Sequence, residues 1–405
     1  MNILVDGYNL ALPKGTGIAT YGRGFIAATK SLGHRVELLL GEELESRPAF
    51  SGPRALLKAY DLLAAPFGYR PRACDQAALA SELGFRQAAC VATWNRARLF
   101  RAAKMYFRRT GRFAAVHIPG IELAHWTYPL PLYVPGARNV YTVHDIVPIK
   151  FPWMISRGGD EYLRTCRAIV ASGADVLTVS ETSRDDILST FDITPERVHN
   201  TFQAFDGRLT QKARAGDASW VRSQDLAPKG YLLFFGAIEP KKNVGRILDA
   251  FEASSIATPL VVVAAGGWGC DAEASRLKAL AQRPDRRIRL YDYLERDKVV
   301  DLIRNAKATL FPSLYEGFGL PALESMAAGT AVIASGNASL REVVGDAGLL
   351  VDPLSVDSIR DAIRAIDSAP SLRLALEEKG RQRSLLFSPE NYAARLAALF
   401  ARWDD

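Results

Sequence analysis

The sequence predicts an α/β chain built from two parallel-sheet units. Three observations lead there. Residues 2–40 run strand, glycine-containing loop, helix, strand; the same order restarts at residues 231–251; and the intervening residues 211–229 are polar, rich in Ala, Arg, Lys and Asp, and run into Gly230 after Pro228. Strand–loop–helix–strand order builds right-handed βαβ units in a parallel sheet, and a polar segment with Pro and Gly signals reads as an interdomain linker.

Composition sets the outer bounds. The chain has 405 residues, 48% apolar and 23% charged, as in an ordinary soluble protein of two or three domains. The net charge of +7 bears on partners rather than fold, and leaves nucleotide phosphates, anionic lipid and nucleic acid open. Cys74, Cys90, Cys166 and Cys270 are scattered without ligand-like spacing, which fits a reducing compartment rather than a disulfide framework or zinc site. The opening Met1-Asn2-Ile3-Leu4-Val5-Asp6 reads as a first strand rather than an export leader. No apolar run has the length of a membrane span.

In chain order, residues 2–5 form a strand, 6–17 a loop containing Pro13-Lys14-Gly15-Thr16-Gly17, 18–32 a helix stopping before Gly33, and 36–40 a strand. The loop lacks the G-x-G-x-x-G spacing of a dinucleotide site; it is either a plain turn or a backbone approach to a phosphate. Residues 41–112 carry helical patches, such as 51–64, broken near Pro66, Gly68 and Pro71. Residues 94–113 hold Arg96, Arg98, Arg101, Lys104, Arg108, Arg109 and Arg112 with no acid, interleaved with Trp94, Leu99, Phe100, Met105, Tyr106 and Phe107. That pattern is either a solvated basic helix packed by its apolar face or a helix lying on an anionic membrane. Nucleic acid is not favoured, because no recognised binding module accompanies it.

Residues 115–118 and 140–143 read as strands. Between them, 124–131 is an aromatic and proline-rich loop in which His125 and Tyr128 either wall an acceptor pocket or serve structure alone. His144-Asp145 follows the 140–143 strand, at the end where open α/β sheets bind ligands. A helix over 159–172 and a strand over 176–179 lead to Ser180, which suits an N-cap.

In the second unit a strand at 231–235 runs into a loop bearing Lys241 and Lys242 just before a helix. Such lysines are point charges for phosphate or ordinary surface residues. Strands follow at 260–265, before Gly266-Gly267, and at 288–290, before Tyr291-Asp292-Tyr293-Leu294; a helix follows at 299–305. A strand at 308–311 then feeds Tyr315-Glu316-Gly317-Phe318-Gly319-Leu320-Pro321-Ala322-Leu323-Glu324, a short helix to Gly329 and a strand at 331–334. Pro321 suits the first helical position and Gly329 the left-handed stop. The chain closes with a strand to 351, helices over 355–386 and a last helix over 389–403.

The 315–324 turn has specific chemistry. Gly317 and Gly319 let backbone approach a ligand, and the amides at the helix start favour an anion. Glu316 and Glu324, pure acceptors when ionised, would then grip sugar hydroxyls on either side of a phosphate. Read alone, the pair also fits a capping and a surface glutamate around a Gly-rich connection.

The segment EGFGLPALESMAAGTAVIAS, with Glu316 and Glu324 seven residues apart, resembles the E-x7-E signature of the family 4 retaining glycosyltransferases. The resemblance is strongest over 231–353, weakest over 42–112, and covers nearly the whole chain. It implies the GT-B fold: two Rossmann-like domains facing a central cleft, residues 1–210 binding acceptor, 211–386 binding the nucleotide sugar, and 387–405 a helix crossing back. It also implies that Glu316 holds donor-sugar hydroxyls and Glu324 the ribose. Gly17-Ile18-Ala19-Thr20-Tyr21 is similar to the family's glycine loop facing the donor. Tyr141-Thr142-Val143-His144-Asp145 is similar to the segment whose His reaches the donor sugar, with Asp145 orienting that ring or binding substrate. Lys241 and Lys242 match the diphosphate-binding cations, although Ala237 stands where many members carry Arg. Gly317, Phe318, Gly319 and Leu320 line the donor, and Tyr293 and Leu294 hold the base through backbone atoms.

The implied reaction is sugar transfer with retention from a nucleotide diphospho-sugar to a hydroxyl, with Glu316, His144 and Lys242 as the catalytic set and lysines in place of a metal. The donor expected is GDP-linked, with UDP-linked the other candidate; the sugar is mannose or a relative. The acceptor expected is a glycan or lipid-linked glycan of a bacterial surface polysaccharide, met in the cytoplasm or peripherally at the inner membrane face. A non-catalytic nucleotide-sugar-binding protein of the same fold is the alternative.

Overall fold

The computed structural model describes residues 1–10, 17–43, 54–74, 92–156, 158–210, 218–264, 266–285 and 287–404. The loop expected at 13–16, Cys90 and the first part of the expected linker lie outside them. In the N-terminal half, β1 (Asn2–Asp6), α1 (Gly17–Ser31) and β2 (Arg35–Leu40) form the opening unit. There follow α2 (Arg54–Ala64), β3 (Arg72–Cys74), β4 (Ala92–Asn95), α3 (Leu99–Thr110), β5 (Ala114–Ala115), β6 (Leu123–Trp126), β7 (Leu132–Tyr133) and β8 (Arg138–Thr142). The half ends with α4 (Val147–Lys150), α5 (Gly159–Ala171), β9 (Asp175–Thr178), α6 (Glu181–Thr190) and β10 (Val198–Asn200). Its main sheet has the order β10-β9-β8-β6-β1-β2-β4-β3. Every pairing is parallel except the edge pair β3–β4.

The C-terminal half runs α7 (Ser219–Ser223), β11 (Leu232–Phe235), α8 (Val244–Ser254), β12 (Leu260–Val263), α9 (Asp271–Ala281), β13 (Ile288–Tyr291), α10 (Arg296–Asn305) and β14 (Ala308–Phe311). It continues with α11 (Leu320–Ala327), β15 (Ala331–Ser335), α12 (Ala338–Val344), β16 (Leu349–Val351), α13 (Val356–Ser368), α14 (Pro370–Ser384) and α15 (Pro389–Asp404). The sheet is wholly parallel, in the order β13-β12-β11-β14-β15-β16. Its strands β11, β12, β14 and β15 are buried at every position, because helices cover both faces of a parallel sheet. The last helix packs on the N-terminal half: Phe400 stands 6.4 Å from the Phe25 ring of α1, and Trp403 stands 5.8 Å from His199.

Several expected elements differ. The strand expected at 115–118 is the two-residue β5, paired with β7 outside the main sheet. The expected loop at 124–131 opens inside β6, which sits between β1 and β8 in the sheet. Only the later part of the expected 211–229 linker is described, and there α7 and its neighbours pack inward, with Val221 and Leu226 buried. The helices expected over 355–386 are α13 and α14, separated at Ala369 before Pro370, since a proline disfavours helical backbone in the residue before it.

The basic stretch is only partly a helix, and acids from elsewhere meet it. Arg98 precedes α3 in the left-handed region (φ 59°), and both Arg96 and Arg98 pair with buried Asp61 at 3.0 Å. Lys104 donates to Tyr8 Oη at 2.7 Å, and Arg108 pairs with Glu161. Arg101, Arg109 and Arg112 are exposed. Among the described residues no helix is long and apolar enough to cross a membrane.

Candidate active site

The C-terminal sheet reverses its strand order between β11 and β14. Open α/β sheets bind ligands beyond the carboxyl ends of strands at such a switch. The two loops there are the lysine loop after β11 and the glycine turn after β14, and they are tied together. Asn243, held in the left-handed region at φ 58°, donates through Nδ2 to Pro312 O at 2.9 Å and Pro353 O at 2.7 Å. Leu314 N donates to Lys241 O at 2.7 Å.

This frame brings Lys242 and Glu316 together. Lys242 Nζ lies 2.7 Å from Glu316 Oε1, and Lys241 Nζ lies 3.9 Å from Oε2. Glu316 is buried. Burial alone would raise its pKa, yet the two lysine charges hold it below the ordinary carboxylate value. Lys241 is the mirror case: burial works against its charge, but Glu316, Asp145 and Glu239 keep its pKa raised.

Helix α11 begins at Leu320, one residue earlier than expected, with Gly319 as its N-cap at φ 102°. A Cβ on Gly319 would stand 2.5 Å from Leu340 Cδ2. The side chains of Phe318 and Leu320 are buried, and Phe318 packs edge-on against Phe387 at 5.6 Å, so these two can offer a ligand only backbone. Glu324 falls one turn into α11, and its buried carboxylate is gripped by both terminal nitrogens of Arg296, at 3.1 Å on Oε2 and more tightly on Oε1. Burial raises its pKa even against that arginine.

The N-terminal sheet has its own switch, between β1 and β6. Across it, buried Asp6 accepts from Tyr8 N at 3.1 Å and from Thr127 N. Burial pushes Asp6 up to about 6 in spite of those donors. His144, just past β8, stands edge-on to Tyr21 at 4.8 Å, with Nε2 2.9 Å from Thr127 O. A carbonyl partner requires the hydrogen on Nε2, and burial lowers the His144 pKa, so the ring is neutral. Asp145 Oδ1 accepts from Val147 N at 3.1 Å.

The two switch points meet at Gly317. A Cβ there would lie 2.7 Å from His144 O and 2.9 Å from Asp145 Cβ; only glycine permits the approach. Gly317 O accepts from Ser180 Oγ at 2.7 Å and Ser183 Oγ at 3.1 Å. Tyr315 Oη donates to Asp186 on α6. The α6 N-terminus is covered by the Glu342 carboxylate, which accepts from Glu181 N at 2.8 Å and Thr182 N at 3.2 Å.

Of the residues expected at the site, Glu316, Gly317, Lys241, Lys242, His144 and Asp145 thus converge. Gly17 opens α1, where an added Cβ would meet nothing within 4 Å. His125 is placed differently from the acceptor role considered for it: it lies in the core at 1% exposure, 2.8 Å from Thr142 Oγ1 and against the Phe25 ring. Burial and the neighbouring His144 drop its pKa to about 3. Tyr128 is half-buried beside Tyr8 and Lys104. Tyr293 and Leu294 follow β13, two strands away from β11, with Tyr293 53% exposed. Among the described residues no group of three or more His, Cys, Asp or Glu is placed to hold a metal ion.

Sequence reasoning missed Arg296, Asn243, Asp186 and Glu342, whose partners are distant in the chain. It read Ser180 as a cap only; Ser180 does accept from Ser183 N at 3.0 Å, and both serines also reach the other half.

Comparison with known proteins agrees with this architecture. Residues 221–383 match the family described as Glycosyl transferases group 1. The chain is 33% identical over 261 residues to the O-antigen chain mannosyltransferase B of Escherichia coli, covering 63% of this chain and 68% of that protein. It is 27% identical over 407 residues to the MMP alpha-(1->4)-mannosyltransferase of Mycolicibacterium hassiacum, covering 95% and 94%. The sucrose-phosphate synthase of Thermosynechococcus elongatus superposes with a TM-score of 0.70 at 20% identity, over 100% of this chain and 99% of that one. The chain belongs to the group 1 glycosyl transferases. It is a glycosyltransferase enzyme of GT-B fold.

Proposed function

We propose that the enzyme moves mannose or a related sugar, with retention, from a nucleotide diphospho-sugar to a glycan or lipid-linked glycan of a bacterial surface polysaccharide. GDP-linked donors are favoured and UDP-linked donors are the other candidate. The observation that carries this reading is the Lys242–Glu316 pair at the β11–β14 switch, beside the α11 N-terminus. The mannosyl and polysaccharide parts draw support from what the relatives' names say of them.

In this reading Lys242, Lys241 and the backbone amides at Gly319 and Leu320 stabilise the leaving diphosphate, whose negative charge grows in the transition state. Glu316 holds sugar hydroxyls, Glu324 the ribose, and neutral His144 lies at the reacting face with Asp145 beside it. Residues 211–386 take the donor and 1–210 the acceptor; 387–405 link the last helix back to the first half. The acceptor attacks from the face the diphosphate leaves, and the lysines supply the charge that a metal supplies elsewhere. Activity retained in EDTA supports the metal-free part; loss that manganese restores overturns it. The enzyme works in the cytoplasm, and exposed Arg101 and Arg109 on α3 with Arg112 just beyond it offer positive charge to an anionic membrane, testable by liposome flotation.

The deciding experiment is melting in GDP, UDP, ADP and TDP, each at a hundred times its dissociation constant. Selective binding adds about 2.7 kcal/mol, a shift of a few degrees for domains of this size. The nucleotide that stabilises then identifies the donors to test for sugar transfer. Stabilisation by none of the four overturns the donor assignment.

A further inference from the structure

A cavity of about 520 Å³ opens between the halves. Trp153 and Met154 line it from the N-terminal half, and Leu314, Asn337, Asp352 and Leu354 from the C-terminal half. Its size falls in the range of small-molecule sites, about 300–1,000 Å³. Leu314, Asn337 and Asp352 follow β14, β15 and β16, so the cavity lies at the carboxyl ends of the strands on the far side of β14 from β11.

Its lining is apolar with a few acceptors. Trp153 and Leu354 are large side chains left 60% and 65% exposed. Asn337 spends its Nδ2 on Leu314 O at 3.2 Å, while its Oδ1 is buried without a partner among the described residues. Asp352 is exposed, with Oδ1 accepting from Leu354 N at 2.9 Å. None of the described lining residues is a cation.

The cavity is also wired to the site. The Trp153 ring lies 6.4 Å from Phe151, and Phe151 lies 5.2 Å from Tyr315, the neighbour of Glu316. Asn337 and Ser339 hold the peptides on both sides of Tyr315, through Leu314 O and Glu316 O.

We propose that this cavity is a saccharide subsite that holds a pyranose ring of the acceptor glycan. A pyranose has an apolar C–H face that suits the indole and a rim of hydroxyl donors that suits the Asp352 carboxylate. An anion would face a carboxylate with no cation. An alkyl chain would bring no donor to the Asp352 carboxylate. Acceptor rather than donor follows from strand order: the lining residues follow β14, β15 and β16 while the lysines follow β11, so the C-terminal half joins residues 1–210 in holding the acceptor. The inference rests on the donor assignment proposed above.

The test uses the full chain with α-mannotriose and maltotriose as probes, read by tryptophan fluorescence, and with octanol and decanol as alkyl probes. The wild type responds saturably to a free trisaccharide, and Trp153→Ala abolishes that response. The acceptor KM rises about tenfold or more in Trp153→Ala, and also rises in Asp352→Ala. Stabilisation by the nucleotide diphosphate persists in both variants, which separates failure of the subsite from failure of the donor reading. No Trp153-dependent response to either trisaccharide overturns the proposal. So does an unchanged acceptor KM in both variants, or a Trp153-dependent response to the alkyl probes alone.

Discussion

Replacing Lys242 by alanine separates what the Lys242–Glu316 pair does for the fold from what it does for chemistry. The two side chains are 14% and 10% exposed. Deleting one partner of a fully buried pair costs roughly 3–5 kcal/mol, because it strands a charge. Here Lys241 remains 3.9 Å from the other oxygen, so about half of that, ~2 kcal/mol, is the expectation. The melting temperature should then fall by roughly 4–8 °C. Adding Glu316→Gln removes the stranded charge and should recover most of the loss. Activity should behave differently. Lys242→Ala should lower kcat/KM by at least 10²–10³-fold, the size of one lost electrostatic stabiliser, and the double variant should stay inactive. The assays are thermal melting of the three variants, titration with the nucleotide diphosphate that stabilises the wild type, and sugar transfer. Unchanged diphosphate affinity in Lys242→Ala would place the phosphate site elsewhere. A double variant that regained transfer along with stability would reduce the pair to a structural contact.

Other perturbations test the rest of the site. Gly317→Ala forces a Cβ to within 2.7 Å of His144 O, so transfer should drop tenfold or more while nucleotide binding persists; normal transfer in this variant would show that the close approach is dispensable. Asp6 has its folded pKa at about 6, raised from 3.8, so its contribution to stability is full below pH 4 and lost as pH rises to 6. That loss is roughly 3 kcal/mol, to be sought as a wild-type decline in unfolding free energy over this window that Asp6→Ala lacks. Arg296→Ala leaves Glu324 buried without its cation, so its pKa rises further, and the acid limb of kcat/KM for the donor should move to higher pH. An unmoved limb would mean that ionised Glu324 is not needed for donor use.

The fold was legible where burial is two-sided. Leu232–Phe235 and Leu260–Val263 are continuous apolar runs because parallel strands meet helices on both faces, and a run of that kind needs no context. Leu123–Trp126 escaped because His125 interrupts it; its polarity is absorbed by Thr142 and Tyr21, which lie on β8 and α1. The candidate site was legible through the resemblance: read alone, Glu316, Glu324, Gly317, Gly319, Lys241 and Lys242 also fit a cap, a turn and surface charges. Arg296 lies in α10 and Glu342 in α12, 28 residues before Glu324 and 161 after Glu181. Neither contact has a local signature, since a lone charged residue on a helix looks like solvated surface.

The pairing of both glutamates with cations bears on how a donor would bind. Glu316 has Lys242 and Glu324 has Arg296, so neither carboxylate meets a sugar without competition. A diphosphate carries more negative charge than one carboxylate and draws on the same lysines. As Lys242 turns to phosphate, Glu316 loses charge compensation unless hydroxyl donors replace it. A nucleotide sugar supplies both at once; a nucleotide diphosphate alone supplies only the phosphate. The bare diphosphate should therefore pay an electrostatic penalty at Glu316 that the intact donor avoids. Glu316→Gln should lift that penalty, tightening the diphosphate while weakening the donor. Parallel titrations of the two ligands against wild type and Glu316→Gln measure this directly. Equal shifts in the same direction for both ligands would mean that Glu316 does not exchange its lysine for sugar hydroxyls.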